Sequence, residues 1–236
     1  MSIWKRLGDF VSRVSGSAYA GLMEAVRTLF EGDPVLRRRV AFSIAMIALS
    51  AKMAKADGIV TQDEVRAFQQ IFSVPTEHAR DVARLYDLAK GDTAGFETYA
   101  RHMANLFEEQ EDGRDVLEDI LDGLFFIAKA DGFVHEREIG FLRRTAEIFS
   151  FDELRFDAIL ARHASGGESD PYKVLGVFPT TAFDEIRRRY RALVAQNHPD
   201  RLMARGLPEE FLIIANQRVA ALNVAYETIE RGRRRS

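Results

Sequence analysis

The sequence predicts an all-α protein with two helical domains. Apolar residues recur at the 3.6-residue spacing of helices along most of the 236-residue chain, and no segment shows a convincing two-residue alternation of the kind expected for a half-buried strand. The chain contains only 6 prolines, so long helices can run without interruption. Its composition, 47% apolar and 29% charged, is that of a folded globular protein rather than a disordered one.

Residues 1–30 predict an amphipathic helix. Charged side chains recur too often for a bilayer span, which needs about 20 consecutive apolar residues. One helical face is instead apolar, formed by Ile3, Trp4, Leu7, Phe10, Val11 and Val14. That face can pack on the rest of the chain or on another protein. Alternatively, residues 1–20 can lie on a membrane surface, which Trp4 beside Lys5 and Arg6 favours.

Residues 31–162, called the body below, predict a bundle of helices. Two strongly apolar helices are expected over Val40–Ala54 and Val116–Ala128. The run from Ala41 to Ala51 is too short to cross a bilayer and is bounded by charged residues, so it predicts a buried helix.

A repeated turn follows each of these two helices. The strings Ala54–Val60 and Ala128–Val134 are nearly identical and lie 74 residues apart, and Glu64 and Glu138 repeat at the same offset. A structural interpretation is favoured. The glycine of each turn ends one helix, and the glutamate that follows it begins the next helix as the acidic residue of a capping box, whose capping residue in the first copy is Thr61. Because His135 replaces Thr61 in the second copy, capping is expected to be weaker there.

A metal-binding interpretation of the same turns stays open as an alternative. Carboxylate oxygens from both copies could meet and hold a divalent cation, although the spacing lacks the alternating donors of an EF-hand. The candidate ligands are Asp57, Glu64, Asp131 and Glu138.

Residues 163–169 predict a linker, and residues 170–236, called the C-terminal module below, predict a second domain. The linker is polar and rich in glycine and serine, so we expect relative motion between the two parts. The module should start with a short helix between Asp170 and Gly176 and continue with a longer helix from about Thr181.

The longer helix should be apolar on one side and cationic on the other. Its apolar positions are Ile186, Tyr190, Leu193 and Val194, and its exposed cations are Arg187, Arg188 and Arg191. Pro199 should end it near His198, which places His198-Pro199-Asp200 in an exposed loop. A last helix, antiparallel to it, should carry an apolar stripe of Phe211, Ile214, Leu222, Tyr226 and Ile229.

Residues 170–231 resemble a J domain, the signature module of DnaJ-type co-chaperones. The resemblance rests on Tyr172–Val177, on Glu185-Ile186 with Tyr190–Leu193, on His198-Pro199-Asp200 and on Asn223–Glu227. It implies that His198, Pro199 and Asp200 stimulate ATP hydrolysis by a DnaK-type chaperone. It also implies that Arg187, Arg188 and Arg191 dock onto that chaperone.

Two further segments resemble the DjlA subgroup of this family. Residues 201–208 resemble its longer loop, and the duplicated turns of the body resemble a TerB-like domain, over roughly residues 35–160. A TerB-like domain followed by a C-terminal J domain is the DjlA arrangement. DjlA proteins typically begin with a membrane-spanning helix, and residues 1–30 depart from that pattern.

The sequence argues against several other classes of function. It has no cysteine, and no serine lies in a nucleophile setting, so we expect the chain to catalyse nothing itself. The C-terminal module has 12 basic and 8 acidic residues, leaving 21 basic and 28 acidic residues for the rest. A basic helix can attract nucleic acid, but the interleaved aromatic surface that binds bases is missing, so we expect no nucleic acid partner.

We therefore expect a cytoplasmic co-chaperone without a cofactor, whose residues 1–20 could contact the cytoplasmic face of the inner membrane. The body would supply targeting, client contacts or self-association as a homodimer; the client is unknown. The alternative is a metal-sensing or stress-sensing scaffold that uses the acidic turns as its sensor.

Overall fold

The computed structural model describes residues 34–57, 76–91, 95–108, 112–163, 169–205, 207 and 211–235. Within these ranges the chain is helical and contains no strand, which confirms the predicted all-α class. The first 30 residues, and with them the predicted amphipathic helix, lie outside the described residues. None of the helices in these ranges combines the length and the hydropathy that crossing a lipid bilayer requires.

The described part of the body consists of six α-helices and a 3-10 turn at Thr76–His78. The helices are α1 (Pro34–Asp57), α2 (Ala79–Gly91), α3 (Phe96–Glu108), α4 (Gly113–Ala128), α5 (Glu136–Ile148) and α6 (Glu153–His163). The C-terminal module adds α7 (Pro171–Leu175), α8 (Phe183–Gln196), α9 (Pro199–Ala204) and α10 (Leu212–Arg235).

Helix α1 forms the centre of the body. Every side chain from Val40 to Ala54 is buried, and α2, α3, α4 and α5 all pack against this helix. A helix surrounded on all sides has no wet face, which explains why its sequence is apolar all round rather than in a stripe. The predicted buried helix is confirmed, and so is the apolar helix that precedes the second turn, which appears as α4.

The C-terminal module has a small core of its own between α7, α8 and α10, formed by Val174, Leu175, Ile186, Leu193, Leu222, Ala225 and Ile229. Helix α7 has the predicted local chemistry: Asp170 accepts a bond from the Tyr172 amide at 2.9 Å, Pro171 is the first helical residue, and Gly176 has a left-handed φ of 62°. Helix α8 begins two residues later than predicted. The Thr181 hydroxyl accepts a bond from the Phe178 amide in the preceding turn instead of capping the helix.

The two parts of the chain share buried surface. Leu202, Leu207, Phe211 and Ile214 lie in the hydrophobic core of the body rather than in that of the C-terminal module. The ring of Phe211 meets the ring of Phe42 on α1 edge to face, with centroids 5.0 Å apart. The relative motion that the linker composition predicts is opposed by this contact, which a linker sequence does not disclose.

Gly113 should be the least tolerant glycine for which the packing is described. A Cβ atom added there would overlap the backbone carbonyl oxygen of Phe107, which cannot rotate away as a side chain could. Gly113→Ala should therefore lower the free energy of unfolding by about 1–3 kcal/mol, measured by urea denaturation. Gly140→Ala is the control, because nothing lies within 4 Å of its added Cβ in α5. That variant should be more stable than wild type by about 0.5–1 kcal/mol, and equal losses in both variants would contradict the steric explanation.

Candidate partner-binding site

The tripeptide His198-Pro199-Asp200 lies at the surface, at the start of α9. His198 is the N-cap of that helix, and its Nδ1 accepts a bond from the Asp200 amide at 3.2 Å. Pro199 is the first helical residue, a position where its missing amide hydrogen costs nothing. The side chain of His198 is 61% exposed and that of Asp200 is 92% exposed. The exposure agrees with the sequence prediction, but the conformation is a helix start rather than an open loop.

Two antiparallel helices present the tripeptide. Arg187 and Tyr190 on α8 contact Tyr226 and Asn223 on α10, and Asn197 contacts Arg218, so the residue numbers fall along α10 as they rise along α8. The rings of Tyr190 and Tyr226 stack with centroids 4.3 Å apart. Stacked rings and paired polar groups keep the two helices in one register. This register fixes the position of the C-terminal end of α8, and with it the tripeptide, relative to α10.

The basic face of α8, defined as Arg187, Arg188 and Arg191, leads to the tripeptide. Arg188 and Arg191 are exposed and three residues apart, so they share one side of the helix. Arg187 is partly covered: its Nε donates to the Tyr226 hydroxyl at 3.4 Å, and this bond raises the pKa of Arg187. Arg189 differs from these three, because its Nε donates to the Leu175 carbonyl and burial lowers its pKa. Of the six residues predicted to bind the partner, the three arginines therefore lie on α8 and the tripeptide forms the start of α9, directly after α8.

The second acidic turn of the body is occupied by bonds within the turn. Asp131 accepts bonds from the Phe133 amide at 3.1 Å and from the His135 ring at 3.0 Å. Slight burial opposes its ionisation, but these bonds outweigh the burial and lower the pKa of Asp131. Glu138 accepts a bond from the His135 amide at 2.8 Å, as a capping box requires. Capping is thus present in the copy where it was expected to be weaker.

The predicted metal site is not assembled within the described residues, where no three potential ligands come together. Gly132 has a φ of 103°, so the tight turn there needs the glycine. In the first copy Glu64 lies outside the described residues, and of Asp57 only the backbone in α1 is described. The meeting of the four carboxylates remains a prediction.

A buried cluster of charges joins the C-terminal module to α4, and sequence reasoning missed it. Asp119 is fully buried and accepts bonds from Arg218 at 2.8 Å and from Arg205 at 3.2 Å. Asp115 pairs with Arg205 at 2.8 Å and Asp122 with Arg218 at 2.6 Å. We call these five residues the Asp119 cluster. A sequence signal for it exists, because four acids (Asp115, Glu118, Asp119 and Asp122) recur at helical spacing inside an otherwise apolar helix.

The same acidic face of α4 also binds α6. Glu118 pairs with Arg155 and Arg162, and Asp122 accepts a bond from the His163 ring at 2.7 Å. Burial raises the pKa of Glu118 and Asp122, but the neighbouring arginines outweigh this effect and hold both pKa values below their usual range. Burial dominates at Asp119 and raises its pKa to about 6, even though two arginines oppose the shift.

The comparisons with known proteins agree with both resemblances. Residues 43–161 match the family described as tellurite resistance protein TerB, and residues 170–236 match the DnaJ domain. No solved structure matches the chain significantly.

Curated relatives cover most of the chain. A protein from Photobacterium profundum named co-chaperone protein DjlA is 30% identical over 82% of this chain and 78% of its own length. A protein of the same name from Coxiella burnetii is 30% identical over 77% and 73%. Another from Escherichia coli O6:H1 is 27% identical over 98% of both chains. The chain belongs to the DjlA family of co-chaperone proteins, with a TerB domain followed by a DnaJ domain.

Proposed function

We propose that this chain stimulates ATP hydrolysis by a DnaK-type chaperone through His198, Pro199 and Asp200. The observation that carries the proposal is the exposure of both ionisable side chains of the tripeptide beside the cationic face of α8. An acidic surface on the chaperone would meet the arginines, and the tripeptide would then reach the groups that control hydrolysis. Charges placed in this way raise the rate of encounter more than the affinity.

The body would bring the C-terminal module to its place of work. It would supply targeting, client contacts or self-association, and residues 1–20 would contact either the chain itself, another protein or a membrane. Vesicle flotation of the full chain and of a chain lacking residues 1–20 tests the membrane contact, and equal lipid association of the two would argue against it.

Single-turnover ATP hydrolysis tests the proposed function. The DnaK-type chaperone of the same cell is loaded with labelled ATP, and hydrolysis is followed with increasing amounts of the full chain. The expected result is a saturable acceleration. An unchanged rate at every concentration would overturn the proposal.

Neutralising the basic face should weaken the encounter without removing the stimulation. Arg188→Gln together with Arg191→Gln removes two exposed charges from α8. The concentration for half-maximal stimulation should rise about three- to tenfold at low salt and by less at high salt, because added ions screen the charges in both proteins. The control removes Arg231 and Arg234, exposed on α10 and each ion-paired with a glutamate four residues away. If this concentration rises equally in both double variants, the encounter depends on the net charge of the chain and not on the position of the arginines on α8.

A further inference from the structure

Two arginines of the C-terminal module contact the residues that immediately precede the tripeptide. Arg205 donates through Nη2 to the backbone carbonyl of Gln196 at 3.1 Å. Arg218 donates through Nη1 to the side-chain oxygen of Asn197 at 2.7 Å. The side-chain Nδ2 of Asn197 in turn donates to the Leu193 carbonyl at 2.7 Å, which closes the end of α8. The chain on one side of His198 is therefore fixed by two guanidinium groups.

The same two arginines are paired with the body. Both contact Asp119, and each has a second carboxylate on α4 at its other side, Asp115 for Arg205 and Asp122 for Arg218. The guanidinium fork of arginine allows such double contacts, since several N–H groups point in fixed directions from one plane. A rigid helix of the body is thus connected through two side chains to residues 196 and 197.

The chain on the other side of the tripeptide is fixed by apolar contacts. Leu202 on α9, three residues after Pro199, is buried in the core of the body together with Leu207 and Phe211. Helix α9 therefore cannot rotate or translate without removing Leu202 from that core. Both ends of the segment from residue 197 to residue 205 are attached to the body.

The attachment leaves the functional side of the segment free. Leu202 and Arg205 are buried, whereas His198 and Asp200 are exposed, so the body contacts the segment from behind. A buried ion cluster of this kind contributes little net stability, because removing charges from water costs about as much as their pairing returns. The contribution that we expect of it is the selection of one geometry, since other arrangements would leave a buried charge unpaired.

We propose that Asp119, acting through Arg205 and Arg218, positions the His-Pro-Asp segment for its chaperone partner, so that the body is a working part of the stimulating device. The proposal rests on the proposed function and names the residues that orient its site. None of these three residues is expected to touch the chaperone. They are positioning residues, and their effect should appear in the rate of the bound complex rather than in binding.

Arg205→Met in the full chain tests the proposal. Methionine keeps much of the buried volume and removes the bonds to Gln196, Asp115 and Asp119, while Arg218 still pairs with Asp119. In single-turnover hydrolysis the maximal stimulated rate should fall about three- to tenfold, because a misplaced group loses rate in the bound complex. The concentration for half-maximal stimulation should stay within about twofold of wild type, since the basic face is unchanged. Arg205→Lys, which keeps the charge but not the fork, should recover part of the rate.

Amide hydrogen exchange separates positioning from general stability. Residues 197–204 should exchange faster in Arg205→Met, while protection of α4 and α8 stays as in wild type. Arg234→Met, an exposed arginine on α10, is the matched control and should change neither the rate nor the exchange. If Arg205→Met loses protection throughout, Asp115→Asn decides instead, because Asp115 is partly exposed and its change removes one contact of the same arginine.

The outcomes distinguish the two proposals. If wild type stimulates hydrolysis and Arg205→Met reaches the same maximal rate, the positioning role is overturned and the proposed function is left intact. If Arg205→Met loses protection throughout, an Asp115→Asn chain with the maximal rate and the hydrogen exchange of wild type would overturn the positioning role in the same way. Wild type that does not stimulate at all would overturn both.

Discussion

His198→Gln should abolish the stimulation of ATP hydrolysis by the DnaK-type chaperone while leaving the fold intact. Glutamine approximates the length of histidine, but its oxygen lies one bond farther out than Nδ1, which weakens the bond from the Asp200 amide, and it lacks the ring that His198 presents to solvent. Because the side chain is largely exposed, the free energy of unfolding should change by about 1 kcal/mol at most, the cost of a weaker helix cap. Single-turnover hydrolysis gives the first readout and urea denaturation the second.

His135→Gln is the matched control for this variant. His135 is also a histidine at the N-cap of a helix, α5, and its side chain is 64% exposed. The same substitution there should leave the stimulation at the wild-type level. Asp200→Asn gives an independent check, since its carboxylate is even more exposed than the His198 ring and should also be needed. Full stimulation by His198→Gln and Asp200→Asn would show that the tripeptide is not the active element.

Local chemistry allowed much of the C-terminal module to be predicted. Asp170, Pro171 and Gly176 each act within a few residues of their own position, and they delimit α7 as expected. The start of α8 was less predictable, because the Thr181 hydroxyl accepts a bond from the Phe178 amide of the preceding turn rather than from an amide of the helix, and sequence does not rank these two arrangements. Sequence patterns predict hydrogen bonds between residues that are close in the chain, but they do not predict which of two competing bonds forms.

The partners of a buried face were not predictable in the same way. Phe211, Ile214, Leu222 and Ile229 form one continuous apolar stripe along the last helix, as periodicity predicts. In the structure the first two lie in the core of the body and the last two in the core of the C-terminal module. Periodicity states which face of a helix is buried, and it carries no information about what covers that face.

The Asp119 cluster escaped prediction for a related reason. Arg205 lies in a segment identified by its resemblance to a DjlA loop, and Arg218 lies on the last helix, so neither stands near α4 in sequence. Their acidic partners are 86 to 99 residues away along the chain. Acids inside an apolar helix do indicate that cations must be buried beside them, because an unpaired buried carboxylate is too costly. Which cations they are becomes visible only in the fold.

Asp119 should make stability fall as pH rises through about 6. Its pKa is about 6 in the folded protein, chiefly because burial removes the carboxylate from water, against 3.8 for the same group unperturbed. A folded-state pKa above the unfolded value means that the folded state binds more protons between the two values. The stabilisation is therefore complete below about pH 3.8 and is lost as pH rises through about 6. The full shift corresponds to about 3 kcal/mol.

Other groups on the acidic face of α4, and His163 beside it, titrate in other ranges or with the opposite sign. Glu118 and Asp122 have lowered pKa values, so their stabilisation is lost only as pH falls below about 4. Burial lowers the pKa of His163 below 6.5, the value of the unperturbed group. The contribution of His163 to the free energy of unfolding is therefore lost as pH falls below about 6.5, whereas that of Asp119 is lost as pH rises. Burial opposes the charge of Arg218, but Asp122, Asp119 and Glu118 outweigh burial and raise the pKa of Arg218, so this side chain stays charged. The pH profile of wild type alone therefore mixes two opposing slopes.

The difference between wild type and Asp119→Asn isolates the Asp119 slope, because asparagine has the shape of the protonated acid and does not titrate. The free energy of unfolding of wild type minus that of the variant should fall by about 2 kcal/mol between pH 4.5 and 7.5, since part of the titration lies below pH 4.5. Urea denaturation at closely spaced pH values measures it. His163→Gln removes the titration that offsets Asp119 in this range, so the free energy of unfolding of that variant should decline more steeply with pH than that of wild type. A wild-type minus Asp119→Asn difference that is constant or rises with pH would mean that Arg205 and Arg218 outweigh burial at Asp119. The cluster would then stabilise the contact between the two domains as well as orienting the tripeptide.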